Sequence, residues 1–155
     1  MEIKIQFAEK AQARDCLFCV KHSELWETHF KSNATAIEND IEEMISKKQI
    51  YVALSKNNEC IGFMGVIHNG CFRKFSYLAL IAVESSYRNK GVGKELIKKF
   101  EEIGFKQADR VFLLVGDFNK KAQLLYRRLG YKKVGEIPDL FKRGVSEYVL
   151  VKYGI

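Results

Sequence analysis

The chain has 155 residues, 47% hydrophobic and 29% charged, which fits one folded domain over 1–155 and excludes a disordered chain. No apolar run approaches the roughly 20 residues that span a bilayer, and the alternating start Met1–Phe7 is not a secretory leader, so a cytoplasmic protein with no membrane partner is expected. The formal charge of +7 sits in one half: residues 1–78 hold 10 Lys/Arg and 10 Asp/Glu, residues 79–155 hold 16 and 9, which suggests a local anionic ligand.

Glu2–Phe7 alternates with period two and predicts a strand. Ala8 to about Phe30 predicts one ragged helix, and Ala36–Ser46 a second, with Ile37, Ile41, Met44 and Ile45 on one face. Gln49–Ser55 and Cys60–His68 predict strands, followed by a hairpin turn at Asn69-Gly70. The nearly all-apolar run Phe75–Val83 suits a central strand covered on both faces. Gly91–Lys106 is the strongest helical pattern, Arg110–Val115 a buried strand, and Lys120–Leu129 a short helix ended by Gly130. Tyr131–Val134 and Glu147–Lys152 predict closing strands around a loop, Gly135–Gly144. The crossover between the Phe75 and Arg110 strands makes them parallel neighbours. The pattern as a whole is α/β. Cys16, Cys19, Cys60 and Cys71 read as free thiols, and the single Cys-x-x-Cys, set in a helical stretch without a second ligand pair, predicts no metal.

The most informative segment joins the buried strand to the strongest helix: Val83-Glu84-Ser85-Ser86-Tyr87-Arg88-Asn89-Lys90-Gly91-Val92-Gly93-Lys94. Glycines let the backbone approach a bulky ligand, the helix start adds partial positive charge, and Arg88, Lys90 and Lys94 add full charges. Together they predict a phosphate or pyrophosphate site. The dinucleotide fingerprint fails because Leu96 stands at its third glycine. The P-loop fails because only one residue separates Gly91 from Gly93 and Glu95 follows Lys94. Nucleic acid is the competing anionic partner. The chain has no RRM-type aromatic pair, KH-type loop or zinc finger, so no nucleic-acid partner is expected.

Arg88-x-x-Gly91-x-Gly93 after an apolar strand closely resembles the acyl-CoA pyrophosphate loop of the GCN5-related N-acetyltransferase (GNAT) family. A second stretch, Asn119 then Ala122 with Leu125-Tyr126 and Gly130-Tyr131, resembles that family's downstream signature. Tyr126 also reads as a core aromatic, in line with Ala122, Leu125 and Leu129. The resemblance is strong from about Tyr77 to Tyr131 and diffuse before Gln49. It implies a mixed, mostly antiparallel central sheet, splayed between its fourth and fifth strands and flanked by helices.

It also implies acetyl-CoA as the acyl donor and a small-molecule or peptide amine as acceptor. Dimers are common in the family, so a homodimer is among the implied assemblies. By the same resemblance Ile81, Ala82 and Val83 bond the pantetheine arm, and the Val83 N–H polarises the thioester carbonyl. Arg88, Asn89, Lys90, Gly91, Val92, Gly93 and Lys94 grip the pyrophosphate. Asn119, with Ala122 beside it, bonds the pantetheine, and Tyr126 protonates the departing thiolate. The acceptor pocket falls to Trp26, His29, Phe30, Tyr77 and Phe141, although Trp26 and Phe30 also read as packing on the sheet. Some family members carry a glutamate base where this chain has Tyr77. Glu84 and Asp117 are then the nearest carboxylates to the strand ends, with His68 and His29 behind them, and Glu84 is taken as the candidate base. The same fold could alternatively serve as a catalytically silent acyl-CoA sensor or partner module.

Overall fold

In the computed structural model, which describes residues 1–154, these patterns become seven strands and four helices. In chain order they are β1 (Lys4–Phe7), α1 (Ala13–Lys21), α2 (Ala34–Ser46), β2 (Ile50–Leu54), β3 (Cys60–Cys71) and β4 (Phe75–Val83), then α3 (Val92–Gln107), β5 (Arg110–Gly116), α4 (Lys120–Arg128), β6 (Lys132–Pro138) and β7 (Ser146–Tyr153). The chain divides into two compact units. The first holds Met1–Val66 and Leu80–Phe100; the second holds Ile67–Ala79 and the chain from Glu101 onward. Strands β3 and β4 and helix α3 each run from one unit into the other.

In the first unit β1, β2 and β3 form an antiparallel ladder, with Ile5 opposite Ala53 and Val52 opposite Phe63. Its core draws Cys16, Cys19 and Val20 from α1, Ile37, Ile41 and Ile45 from α2, Val52 from β2 and Leu80 and Ala82 from β4. The 3.6-residue spacing of the α2 isoleucines is what turns them to one side. Asn33 caps α2 by accepting from the Ala36 N–H at 3.3 Å. All four cysteines are free thiols.

In the second unit the strand order is β4-β5-β7-β6. Strands β4 and β5 are parallel, with Tyr77 beside Phe112 and Leu78 beside Leu113, as the crossover pattern predicts. The other pairs in this unit are antiparallel. Gly104 of α3 sits where a Cβ would overlap the Val111 Cγ1 methyl and press on Ser76 Cβ at 3.3 Å. Helix and sheet therefore touch backbone to side chain. Gly104→Ala is expected to lower unfolding stability by about 1–3 kcal/mol through overpacking; a lower urea midpoint at unchanged m-value checks this.

Three predicted elements differ. The single helix over Ala8–Phe30 breaks into a 3-10 turn at Lys10–Gln12, α1, and a π-helical turn at Trp26–Phe30. Ser23 causes the break: its Oγ donates to the Val20 carbonyl at 2.7 Å, competing with the helical ladder. The hairpin turn falls at Phe72-Arg73, both with positive φ, and not at Asn69-Gly70. There Lys74 N–H donates to Cys71 O at 3.2 Å. Gly70 remains in β3 because its bare Cα faces Tyr77 Cβ, 2.6 Å from where its own Cβ would lie. Gln107 Nε2 locks the extension by donating to His68 O at 2.7 Å and Lys74 O at 2.9 Å. Finally, β6 continues through Gly135 to Pro138, with its ladder register shifting between Lys133 and Gly135. Such a bulge hides strand periodicity, and an edge strand tolerates the proline.

Candidate active site

In the first unit, α3 is seated by Val92 and Leu96, both almost fully buried. Gly62 of β3 makes room for them: a Cβ there would lie 3.2 Å from Val92 Cγ1 and 3.1 Å from the Ala82 carbonyl oxygen. This close packing fixes the end of β4 against the start of α3. Between them, Ser85–Tyr87 form one 3-10 turn. Glu84 caps it, accepting from the Ser86 N–H at 3.1 Å, the Ser85 hydroxyl at 3.2 Å and the Ser86 hydroxyl. The Ser86 hydroxyl leads in holding the Glu84 carboxyl below its ordinary range. A carboxylate so stabilised is a poor proton acceptor at neutral pH.

The loop itself is exposed from Arg88 to Gly91. Asn89 and Gly91 take φ of 61° and 85°. A Cβ at Gly91 would meet nothing within 4 Å, and one at Gly93 would meet only Val83 Cγ2, at 3.9 Å. The first helical bond runs from Glu95 N–H to Gly91 O at 3.1 Å. The N–H groups of Val92, Gly93 and Lys94 thus precede the helical ladder, the usual arrangement at an anion-binding helix start. Lys90 Nζ lies 5.4 Å from the centre of the Tyr87 ring. Ile81 and Val83 are half-buried and Ala82 is buried at the end of β4.

Trp26 and Phe30 pack, partly buried, against the core cluster that includes Leu80 and Ala82. His29 stands between them on the π-helical turn, its ring 6.1 Å from that of Phe30.

The second unit carries the downstream residues. Asn119 caps α4, its Oδ1 accepting from the Ala122 N–H at 3.2 Å. Its Nδ2 is the donor group that Asn119 carries beside that acceptor. Tyr126 is buried on α4, and its ring meets that of Tyr131 edge-on at 5.6 Å. Tyr131 is held in turn: its hydroxyl donates to Glu101 at 3.0 Å, and Lys152 donates to the same carboxylate at 2.8 Å. Burial raises the Tyr126 phenol well above its ordinary value, so it keeps its proton at neutral pH. Phe141 lies on the β6–β7 loop and is 60% exposed. That loop closes on Asp139, whose Oδ1 accepts from the Gly144 N–H at 2.6 Å.

Tyr77 of β4 is half-buried. Its phenol is pushed up to about 12, first by burial and then by the nearby Cys71 and Glu147. Glu147 itself was not singled out from sequence. It is 3% exposed on β7, and burial, then Asp117, push its carboxyl above the ordinary range. The available signal was an acid opening the otherwise apolar strand Glu147-Tyr148-Val149-Leu150-Val151.

Among the described residues, no helix is long and apolar enough to cross a membrane. The sequence profile of the acetyltransferase (GNAT) family matches residues 12–131. N-alpha-acetyltransferase RimI of Mycobacterium tuberculosis is 30% identical over 94 residues, 60% of this chain and 58% of that protein. N-alpha-acetyltransferase 30 of Xenopus laevis is 34% identical over 92 residues, 57% of this chain and 33% of that protein. The chain thus spans little more than half, or a third, of the length of these curated relatives. The crystal structure of Ard1 from Thermoplasma volcanium shares the fold, with a TM-score of 0.82 at 18% identity over 100% of this chain and 99% of that one. With the profile covering most of its length, the chain belongs to the acetyltransferase (GNAT) family.

Proposed function

We propose that this protein transfers the acetyl group of acetyl-CoA to a primary amine, with residues 1–155 working as one acetyltransferase domain in the reducing cytosol. The observation that carries the reading is the bend from Arg88 to Lys94. It combines positive φ at Gly91, open space where glycine Cβ atoms would stand, and helix-start N–H groups. Arg88, Lys90 and Lys94 surround it with positive charge. A bulky diphosphate needs these features together, and a merely solvated turn needs none of them.

When bound, acetyl-CoA supplies an activated acetyl thioester. The chain's own groups then divide the work. Loop residues 88–94 hold the diphosphate, with Val92 anchoring the helix start. Ile81, Ala82 and Val83 offer strand amides and carbonyls to the pantetheine arm, and the Val83 N–H holds the carbonyl oxygen. Asn119 donates through Nδ2, beside Ala122. Tyr126 holds a proton for the departing sulfur, since its raised phenol stays protonated at neutral pH. Trp26, His29, Phe30, Tyr77 and Phe141 are the aromatic groups offered to the acceptor. Two relatives are named N-alpha-acetyltransferases, which puts a peptide α-amine first among acceptors.

Thiol release from acetyl-CoA, measured against peptide N-termini, free lysine and a polyamine, tests the reading. Turnover with at least one amine is expected. Binding without release from any amine would instead mark an acyl-CoA sensor. A simpler check is melting temperature. Acetyl-CoA at 100 times its Kd adds about 2.7 kcal/mol, which raises the midpoint of a chain this size by roughly 5–10 °C.

A further inference from the structure

We propose that Glu147 is the proton acceptor for the attacking amine, working on the sheet face it shares with Tyr77. This assignment rests on the acetyltransferase reading above and supplies the base that reading lacks.

The placement follows from ladder register. Gly116 pairs with Glu147, Leu114 with Val149, and Phe112 with Val151; Tyr77 pairs with Phe112. Paired residues project to the same face, and alternate residues along a strand do likewise. Tyr77, Phe112, Leu114, Val149 and Glu147 therefore share one face. On the opposite face Val111 and Leu113 are buried, with Gly104 of α3 against Val111. On the Glu147 face Val151 is buried, while Tyr77, Phe112, Leu114 and Val149 are half-buried. An aromatic and aliphatic surface with a carboxylate at one end suits an ammonium on an apolar body.

The surroundings of Glu147 favour proton uptake. The Phe118 ring fills the space over Gly116, the residue's partner across the ladder. Asp117 faces it from the β5–α4 connection, held there as its Oδ2 accepts from the Ser146 N–H at 3.1 Å. On β4, the Tyr77 phenol lies within reach of the Glu147 charge and of the Cys71 thiol of β3, and both raise it. The residue opposite on β6 is apolar Ile137. Burial and the Asp117 charge both oppose ionisation of Glu147. Both effects raise its basicity above that of a solvated glutamate.

The step balances. One proton passes from the acceptor's ammonium to the Glu147 carboxylate. The freed nitrogen lone pair forms the C–N bond as the C–S bond breaks, and the sulfur takes the Tyr126 hydroxyl proton. The nitrogen's second proton is returned to the Tyr126 phenolate through solvent. Glu147 then sheds its proton to water, so one proton is released per turnover.

Glu147→Gln and Glu147→Asp test the role against the parent, with acetyl-CoA in excess. Two amines serve as probes: a short peptide with a free N-terminus, and 2,2,2-trifluoroethylamine, which is uncharged at neutral pH. Glu147→Gln should lose about 10²–10³-fold in kcat/KM on the peptide. It should keep its acetyl-CoA affinity and stay within a few-fold of the parent on trifluoroethylamine. The parent's kcat should fall as pH drops through the raised Glu147 pKa, and Glu147→Gln should lose that limb. Glu147→Asp should be slower yet keep the limb, and it decides the matter if the Gln variant does not fold. Equal losses on both amines, an unchanged rate and profile in Glu147→Gln, or an Asp variant without the limb would overturn the role while leaving the acetyltransferase reading intact. A parent that binds acetyl-CoA but acetylates no amine would overturn that reading, and this role with it.

Discussion

Gly93→Val is expected to abolish acetyl-CoA binding in a protein that stays folded. In the unliganded chain a Cβ at this position approaches only Val83 Cγ2, at an ordinary contact distance of 3.9 Å. Gly93 also lies in the first turn of α3 with no positive φ. Folding therefore loses little, since valine is no worse a helix former than glycine. On the proposed reading, the space that receives the side chain is the space the diphosphate needs. A loss of 100-fold or more in affinity, about 2.7 kcal/mol, is expected with a melting temperature close to the parent's. Gly91→Val makes an instructive contrast. Its Cβ meets nothing, but its φ of 85° strains any branched residue. That variant should lose both binding and stability. Calorimetric titration and thermal melts of the two variants separate steric from conformational loss.

Tyr126→Phe is expected to lower kcat by about 10²–10⁴-fold, the usual worth of a positioned acid, while acetyl-CoA binds within two-fold of the parent. The ring stays, so its edge contact with Tyr131 stays; only the proton is removed. Full turnover across pH in this variant would remove Tyr126 from the acid role. The phenol belongs to a supported chain of groups, Tyr126 to Tyr131 to Glu101 to Lys152. Such support holds a proton donor in one rotamer.

Where periodicity and turn chemistry agreed, the sequence was readable. The α2 stripe of Ile37, Ile41 and Ile45 faces the core as its spacing predicts. The β4–β5 parallel pairing follows from one amphipathic helix between two apolar strands. Local chemistry misled where tertiary packing outweighed it. Asn69-Gly70 has the composition of a tight turn, yet Gly70 is needed flat against Tyr77, and Gln107, 37 residues downstream of Gly70, holds the strand extended. The turn then falls on Phe72 and Arg73, which carry no turn signature. The helix over Ala8–Phe30 failed at one serine whose competing hydrogen bond is invisible to hydrophobic periodicity.

The candidate site divides the same way. The proposed diphosphate loop is contiguous and carries its chemistry in adjacent residues, so the sequence alone suggests it. The proposed base is not legible in that way. Glu147 and Tyr77 lie 70 positions apart and share a sheet face only through the registers of two ladders. Glu84, adjacent to the loop in sequence, is occupied as a cap.

The most direct measurement is calorimetric titration of the folded protein with acetyl-CoA, with Gly93→Val as the matched control. Saturable heat at one site per chain, lost in the valine variant, is the predicted result. No heat from the parent, even with the nucleotide at millimolar concentration, would contradict the assignment of residues 88–94 as its diphosphate cradle.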